Sequence, residues 1–164
     1  MVIRNLRSGD KKALSSLIKE IYVERPSAMW FEKSPDDDTI QGLVDYKIKG
    51  IGEGRIVDMV AEEGRSIVGE CEIVNMPGGV GYVGILVRQE FRMQGIGKSL
   101  LASAIGEAKA LGTRRLIADI TENNTDAASF FAMNGFKRKF RERRTVSING
   151  SAYGVITLEK TLNQ

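Results

Sequence analysis

A single mixed α/β domain is the fold this sequence predicts, on three observations. The chain has 164 residues, one domain's worth. Its apolar residues switch repeatedly between helical and strand spacing. The segments run in the order antiparallel strands, strand–helix–strand–helix, terminal hairpin, which implies a mixed central sheet of about seven strands with about four helices.

Val2 to Leu6 alternates weakly and forms the expected first strand. Ser8-Gly9-Asp10 then supplies helix-start chemistry, and Leu14, Leu17, Ile18 and Ile21 follow at helical spacing. Pro26 ends that stretch. A second helix is expected after Pro35, with Asp36, Asp37 and Asp38 favouring its N-terminal dipole and Ile40, Leu43, Val44 and Ile48 on its apolar face. The Asp triplet also suits a metal, but no further ligand spacing follows it, so capping is the preferred reading.

Arg55 to Glu62 and Arg65 to Asn75 are two strands joined at Glu63-Gly64. Pro77-Gly78-Gly79 turns the chain into a fourth strand, Gly81 to Val87. Gly95 to Ala110 is a helix whose Leu100, Leu101, Ala104, Ile105 and Ala108 share one face, and Leu116 to Ile120 is a short buried strand. Asn124 to Met133 is a short helix closed by Asn134-Gly135. Lys137 to Ser147 and Ala152 to Leu158 close the chain as strands, with the type I′ signal Asn149-Gly150 between them.

Composition removes several kinds of chemistry. The chain has no histidine, so Ser-His-Asp and Cys-His catalysis and imidazole-ligated zinc are excluded. Cys71, the single cysteine, cannot form a disulfide within the chain, and its strand context favours a small buried hydrophobe over a catalytic thiol. The net charge of +3 biases mildly toward anionic partners. No apolar run reaches signal-peptide or membrane-span length, so a cytoplasmic protein without a membrane partner is expected. In that setting the sequons at Asn123 and Asn149 carry no meaning.

Chemistry concentrates between Gly81 and Leu101. A strand ends at Val87, a polar loop follows, and Gly95-Ile96-Gly97-Lys98-Ser99 opens a long helix. Glycines allow close backbone approach, and the free N–H groups of a first helical turn favour an anion such as a pyrophosphate. Arg92 and Lys98 are expected to add positive charge. A P-loop would need glycine where Arg92 stands, and a dinucleotide-binding fingerprint would need glycine where Leu100 stands.

What does match is Arg-x-x-Gly-x-Gly from Arg92 to Gly97, which resembles the acetyl-CoA loop of the GNAT N-acetyltransferases. The stretch Asn124 to Phe136 resembles the family's later motif: Asn124, Ala127 three on, the aromatic Phe131 seven on, and Gly135-Phe136. With the first strand and helix and the closing hairpin, the resemblance covers nearly the whole chain.

The resemblance implies a sheet splayed between the fourth and fifth strands, with acetyl-CoA as co-substrate and no metal. Ile85, Leu86 and Val87 would pair with the pantetheine arm. Main-chain amides from Arg92 through Met93, Gln94, Gly95, Ile96 and Gly97 to Lys98 would hold the pyrophosphate, with Ser99 also at the cofactor, and Asn124, Ala127, Phe130 and Phe131 would line the other side. The amine would attack the thioester directly, so the protein must hold the amine, remove a proton and stabilise an oxyanion. Phe131 departs from the family, which usually carries a proton-donating Tyr there. Tyr82 and Tyr153 are the alternative donors.

Candidate bases are Asp119, where ribosomal-protein acetyltransferases of this family carry a Glu, and Glu70 and Glu72, which share a face if alternation holds. Surface solvation is the competing reading for all three, and Glu122 reads as a loop residue. The run Lys137 to Arg144 could face RNA, but a solvated edge strand is preferred and nucleic acid is not the expected partner. The expected activity is acetyl transfer to a primary amine of a small molecule or amino acid, with the wall from Glu20 to Glu32 supplying acids for a cationic acceptor. Protein N-terminal or lysine acetylation is the alternative enzyme reading. A non-catalytic acyl-CoA sensor is the alternative of another class. A homodimer through edge strands follows by resemblance.

Overall fold

The computed structural model describes residues 1–163. β1 (Val2–Asn5) leads through a 3₁₀ turn at Ser8–Asp10 into α1 (Lys11–Glu24), and α2 (Asp37–Gly52) follows. The meander β2 (Ile56–Glu63), β3 (Ser66–Met76) and β4 (Val80–Val87) comes next. Then follow α3 (Ile96–Ala110), β5 (Arg115–Thr121), α4 (Thr125–Met133), β6 (Lys137–Ile148) and β7 (Ser151–Thr161). The seven strands lie in the order β1-β2-β3-β4-β5-β7-β6. Single-domain mixed α/β architecture with four helices is thus what the sequence predicted.

Local chemistry explains the boundaries. The Asp36 side chain accepts from the Thr39 N–H at 2.7 Å, so the Asp triplet caps α2. Asn149 and Gly150 both take positive φ, 50° and 80°, as a type I′ hairpin requires. β7 runs past the expected end at Leu158 because β5 pairs along it from Thr121↔Val155 to Arg115↔Thr161.

Every neighbouring pair of strands is antiparallel except β4 and β5. These two pair in parallel only at Val80↔Arg115, Gly81↔Leu116 and Tyr82↔Ile117, then diverge. β4 stays paired to β3 as far as Gly69↔Val87. The fork therefore leaves one edge of β4 without a strand from Val83 to Val87.

The sheet has a hydrophobic core on each face. α3 and α4 cover one, packing Leu100, Leu101 and Phe131 on Cys71, Ile73 and Leu116. α1 and α2 cover the other, packing Leu14, Leu17, Ile18, Ile40 and Val44 on Val60 and Ile67. Each such side chain, fully buried, contributes about 1.5–3 kcal/mol.

Candidate active site

At the mouth of the fork the backbone takes an unusual path. Met93 has φ 59° and Gly95 φ 81°, and the Met93 side chain is 99% exposed. Gly95 is the N-cap of α3 and offers no side chain to its first turn. By helix geometry the N–H groups of Ile96, Gly97 and Lys98 lack partners within the helix, so the turn presents bare amides. A Cβ on Gly97 would stand 3.0 Å from the Phe130 ring and 3.5 Å from Ile85. Glycine there lets α3 start against α4 and β4, bringing the two motifs together.

Arg92 does not bring free charge to this turn, contrary to the sequence expectation. Its guanidinium pairs with both Glu24 oxygens, at 2.5 and 2.7 Å, and Nε donates to the Val87 carbonyl at 2.8 Å. Its charge is spent on α1. Arg88 likewise pairs with Glu20 and donates to the Ile67 carbonyl at 3.1 Å. Glu20 is therefore not available as an acid of the acceptor wall.

On α4, Asn124 Oδ1 accepts from the Ala127 N–H at 3.2 Å, leaving its amide NH₂ for any ligand. Phe131 is 1% exposed, edge-on to Phe130 and Phe136 with centroids 5.3 and 4.9 Å away. It packs in the core, and Phe130 is the ring that reaches the glycine turn.

On the opposite face a cavity of about 390 Å³ opens beside the fork. Its floor is Glu70, Glu72 and Val74 of β3, Tyr82, Gly84 and Leu86 of β4, and Ile117 and Asp119 of β5. Ile18, Leu43 and Lys47, with Ala28, Met29 and Trp30 and with Val83 and Ile85 of β4, line the rest. A Cβ on Gly84 would meet nothing within 4 Å, so the missing side chain is part of the opening. Glu72 lies directly across from Gly84 in the β3–β4 register.

Alternation does put Glu70 and Glu72 on one face, but they are not solvated surface acids. Glu70 is 3% exposed, and both meet Lys47, which is 5% exposed. The Lys47 ammonium lies 2.6 Å from Glu72 Oε2, 2.7 Å from Glu70 Oε1 and 3.4 Å from Asp58 Oδ2. Burial alone would lower the Lys47 ammonium, but Glu70, Asp58 and Glu72 outweigh it and hold the group well above its ordinary value. Burial, then Glu70, pushes the Asp58 carboxyl well above its ordinary range. Asp58 Oδ1 is buried without a hydrogen-bond partner among the described residues.

The sequence reading missed Lys47, although a signal was present. Lys47 sits seven residues after Ile40, on the apolar stripe of α2. Burial also pushes the Cys71 thiol well above its ordinary value, in keeping with a packing role.

Asp119 is engaged rather than solvated. It accepts from the Thr157 hydroxyl at 2.5 Å and pairs with Arg144 at 2.9 Å. Beyond it, a cavity of about 230 Å³ lies between β6 and β7, lined by Arg138, Lys139, Arg143 and Arg144 with Glu122 and Glu142. β6 is an edge strand, as expected; the Arg141 side chain of its basic run lies outside the described residues. Tyr153 is half-buried on β7 and does not line the larger cavity.

A forked mixed sheet with a bare-amide turn at its mouth, beside a largely apolar cavity that carries a few acids, is the architecture of an acetyltransferase. The chain belongs to the acetyltransferase (GNAT) family, whose model matches residues 15–136. Solved structures agree in fold. A ribosomal-protein-alanine N-acetyltransferase from Brucella melitensis superposes with TM-score 0.84 at 23% identity, covering 99% of this chain and 100% of that one. An N-acetyltransferase from Staphylococcus aureus gives 0.82 at 21%, covering 99% and 98%. A phosphinothricin acetyltransferase from Sinorhizobium meliloti, solved with acetyl-CoA, gives 0.82 at 20%, covering 99% and 88%. Comparison with curated proteins gives no match. No helix among the described residues is long and apolar enough to cross a membrane.

Proposed function

We propose that the protein transfers the acetyl group of acetyl-CoA directly to a primary amine of a small molecule or amino acid. The observation that carries this reading is the fork: β4 leaves β5 after Tyr82↔Ile117, and the glycine turn lies where β4 ends. The unpaired β4 edge fits an arm bearing amides, and the bare amides of α3 fit a pyrophosphate. The Sinorhizobium enzyme, solved with acetyl-CoA, supports that choice of co-substrate.

When bound, acetyl-CoA supplies an activated thioester carbonyl. The chain's own residues do the rest. Ile85, Leu86 and Val87 offer backbone partners to the arm. Amides from Met93 to Lys98 hold the pyrophosphate, with Lys98 adding charge. Asn124, Ala127 and Phe130 form the other wall, and Phe131 supports Phe130 from the core. Glu72, at the cavity beside Gly84, takes the proton of the amine. Glu70 is held behind it by Lys47. Asp119 fixes Thr157 and Arg144 at the cavity's edge. Tyr82, 41% exposed on the cavity floor, offers a hydroxyl that Phe131 lacks. No metal takes part. The protein is cytoplasmic in this reading, and any edge-strand dimer forms through β1, because the cations of β6 would repel their own copies.

A peptide acceptor is the second reading, favoured by the fit to the Brucella ribosomal-protein-alanine enzyme. Incubation with acetyl-CoA and a mixed library of amines, amino acids and peptides, read by mass spectrometry, separates the two. Acetylated small amines are the expected result. Acetylation of peptide N-termini or lysines alone selects the second reading. CoA binding with no product and no free thiol overturns both and identifies a sensor.

A further inference from the structure

We propose that Lys47 is the positioning residue of the acceptor cavity, gathering Glu70 and Glu72 into a carboxylate wall whose outer member, Glu72, receives an organic ammonium. The proposal rests on the acetyl-transfer reading for the identity of the cavity, and it adds the acceptor's charge and the residue that organises its recognition.

Charge balance argues for it first. The cavity face carries one ammonium, Lys47, against Glu70 and Glu72, with Asp58 behind them. One ammonium among three carboxyls leaves the cluster with a surplus negative charge, with Asp58 neutral or ionised. A buried surplus is costly unless a counter-charge arrives, and a primary ammonium is such a counter-charge. Asp119 does not supply that place, because Arg144 already pairs with it.

Geometry argues for it second. Lys47 comes from α2 and both glutamates from β3, so the ammonium ties the roof of the cavity to its floor. Glu70 is buried, whereas the Glu72 side chain is 24% exposed. Lys47 contacts Glu72 through Oε2, leaving Oε1 for an incoming N–H donor. Across the β3–β4 pair stands Gly84, whose Cβ position is open. An ammonium bound there lies beside β4 just past its last pairing with β5, next to the fork where the arm would run.

The test is ligand binding as well as turnover. n-Butylammonium binding to the CoA-saturated protein is followed by ligand-observed NMR, with butanol as the uncharged control. Lys47→Met, Lys47→Arg, Glu72→Gln and the Lys47→Met/Glu72→Gln pair are compared, and thermal melts and CoA affinity report folding. The unaltered protein should bind butylammonium and not butanol. Glu72→Gln should weaken that binding about tenfold or more, and Lys47→Met should do so too, because losing the ammonium that holds Glu72 at the opening outweighs the added negative charge, while Lys47→Arg keeps most of the binding. The double variant should be no worse than Glu72→Gln alone, because Lys47 acts through Glu72. If Lys47→Met does not fold, Lys47→Arg and Glu72→Gln carry the test: full affinity in Glu72→Gln overturns the proposal. So does an unaltered protein that ignores butylammonium, or single losses that add in the double variant. Ammonium binding without any acetyl transfer would instead count against the function proposed above and leave this assignment standing.

Discussion

Arg92 and Glu24 form a two-point ion pair that fastens the glycine turn to the C-terminal end of α1, although they stand 68 positions apart in the chain. The same guanidinium holds the Val87 carbonyl at the end of β4. Arg92 therefore shapes the turn from behind, while the amides face outward. Arg92→Ala should weaken CoA binding by about tenfold or more, about 1.4 kcal/mol, without unfolding the domain. Glu24→Gln should lose part of that, and Arg92→Lys should not restore it, because an ammonium cannot make the bidentate contact. Calorimetric titration with CoA decides it; unchanged affinity in Arg92→Ala would show that the clamp does not shape the turn.

The same pair makes stability depend on acid. Hydrogen bonding to Arg92 lowers the Glu24 carboxyl, and hydrogen bonding to Arg4 lowers Asp10. A carboxyl depressed on folding stabilises the native state above its unfolded value, about 4, and that contribution is lost as pH falls through the folded value. Melting temperature should drop on acidification below about pH 4, and Glu24→Gln should shrink the drop. An identical acid profile in Glu24→Gln would contradict the assignment.

Gly95→Glu should abolish CoA binding while the domain stays folded. The φ of 81° penalises any side chain, and the open space beyond the Cβ would let a carboxylate stand over the bare amides. The backbone strain is about 1–2 kcal/mol, small beside a typical domain's stability. Circular dichroism and CoA titration report the two halves of this prediction.

Gly84→Leu should separate the two substrates. Its side chain would enter the cavity, not the core, so folding and CoA affinity should change little. Amine turnover should fall about tenfold or more, the loss expected when an acceptor is displaced from its attack position. Equal loss of CoA affinity would mean that the cavity and the cofactor path are one space.

Restoring tyrosine at Phe131 should not restore a proton donor. The ring is enclosed by Phe130 and Phe136, so a hydroxyl there lacks a partner and costs about 1–3 kcal/mol. Phe131→Tyr should melt earlier and turn over no faster; a faster enzyme would show that this ring moves to the fork.

The sequence made the elements legible because each is announced locally. Asp36 caps α2, Asn149-Gly150 turns the last hairpin, and Gly95 opens α3. The glycine turn was legible for the same reason. The partners of its arginine were not, since Glu24 lies on a different element far back in the chain. Alternation put Glu70 and Glu72 on one face, yet their pairing depends on Lys47, more than twenty residues earlier on α2. Counting only apolar residues on the α2 stripe passed over a lysine occupying a core position. Phe131 matched by spacing, but spacing does not say which of two adjacent rings turns inward.

Three rungs of parallel pairing join β4 to β5, against seven between β5 and β7. Elsewhere along that seam the halves of the sheet are held by side chains and helices alone. Amide hydrogens of Val83 to Val87 that point into the seam should exchange with solvent faster than those bonded to β3, and a strand-like ligand laid along it should slow them.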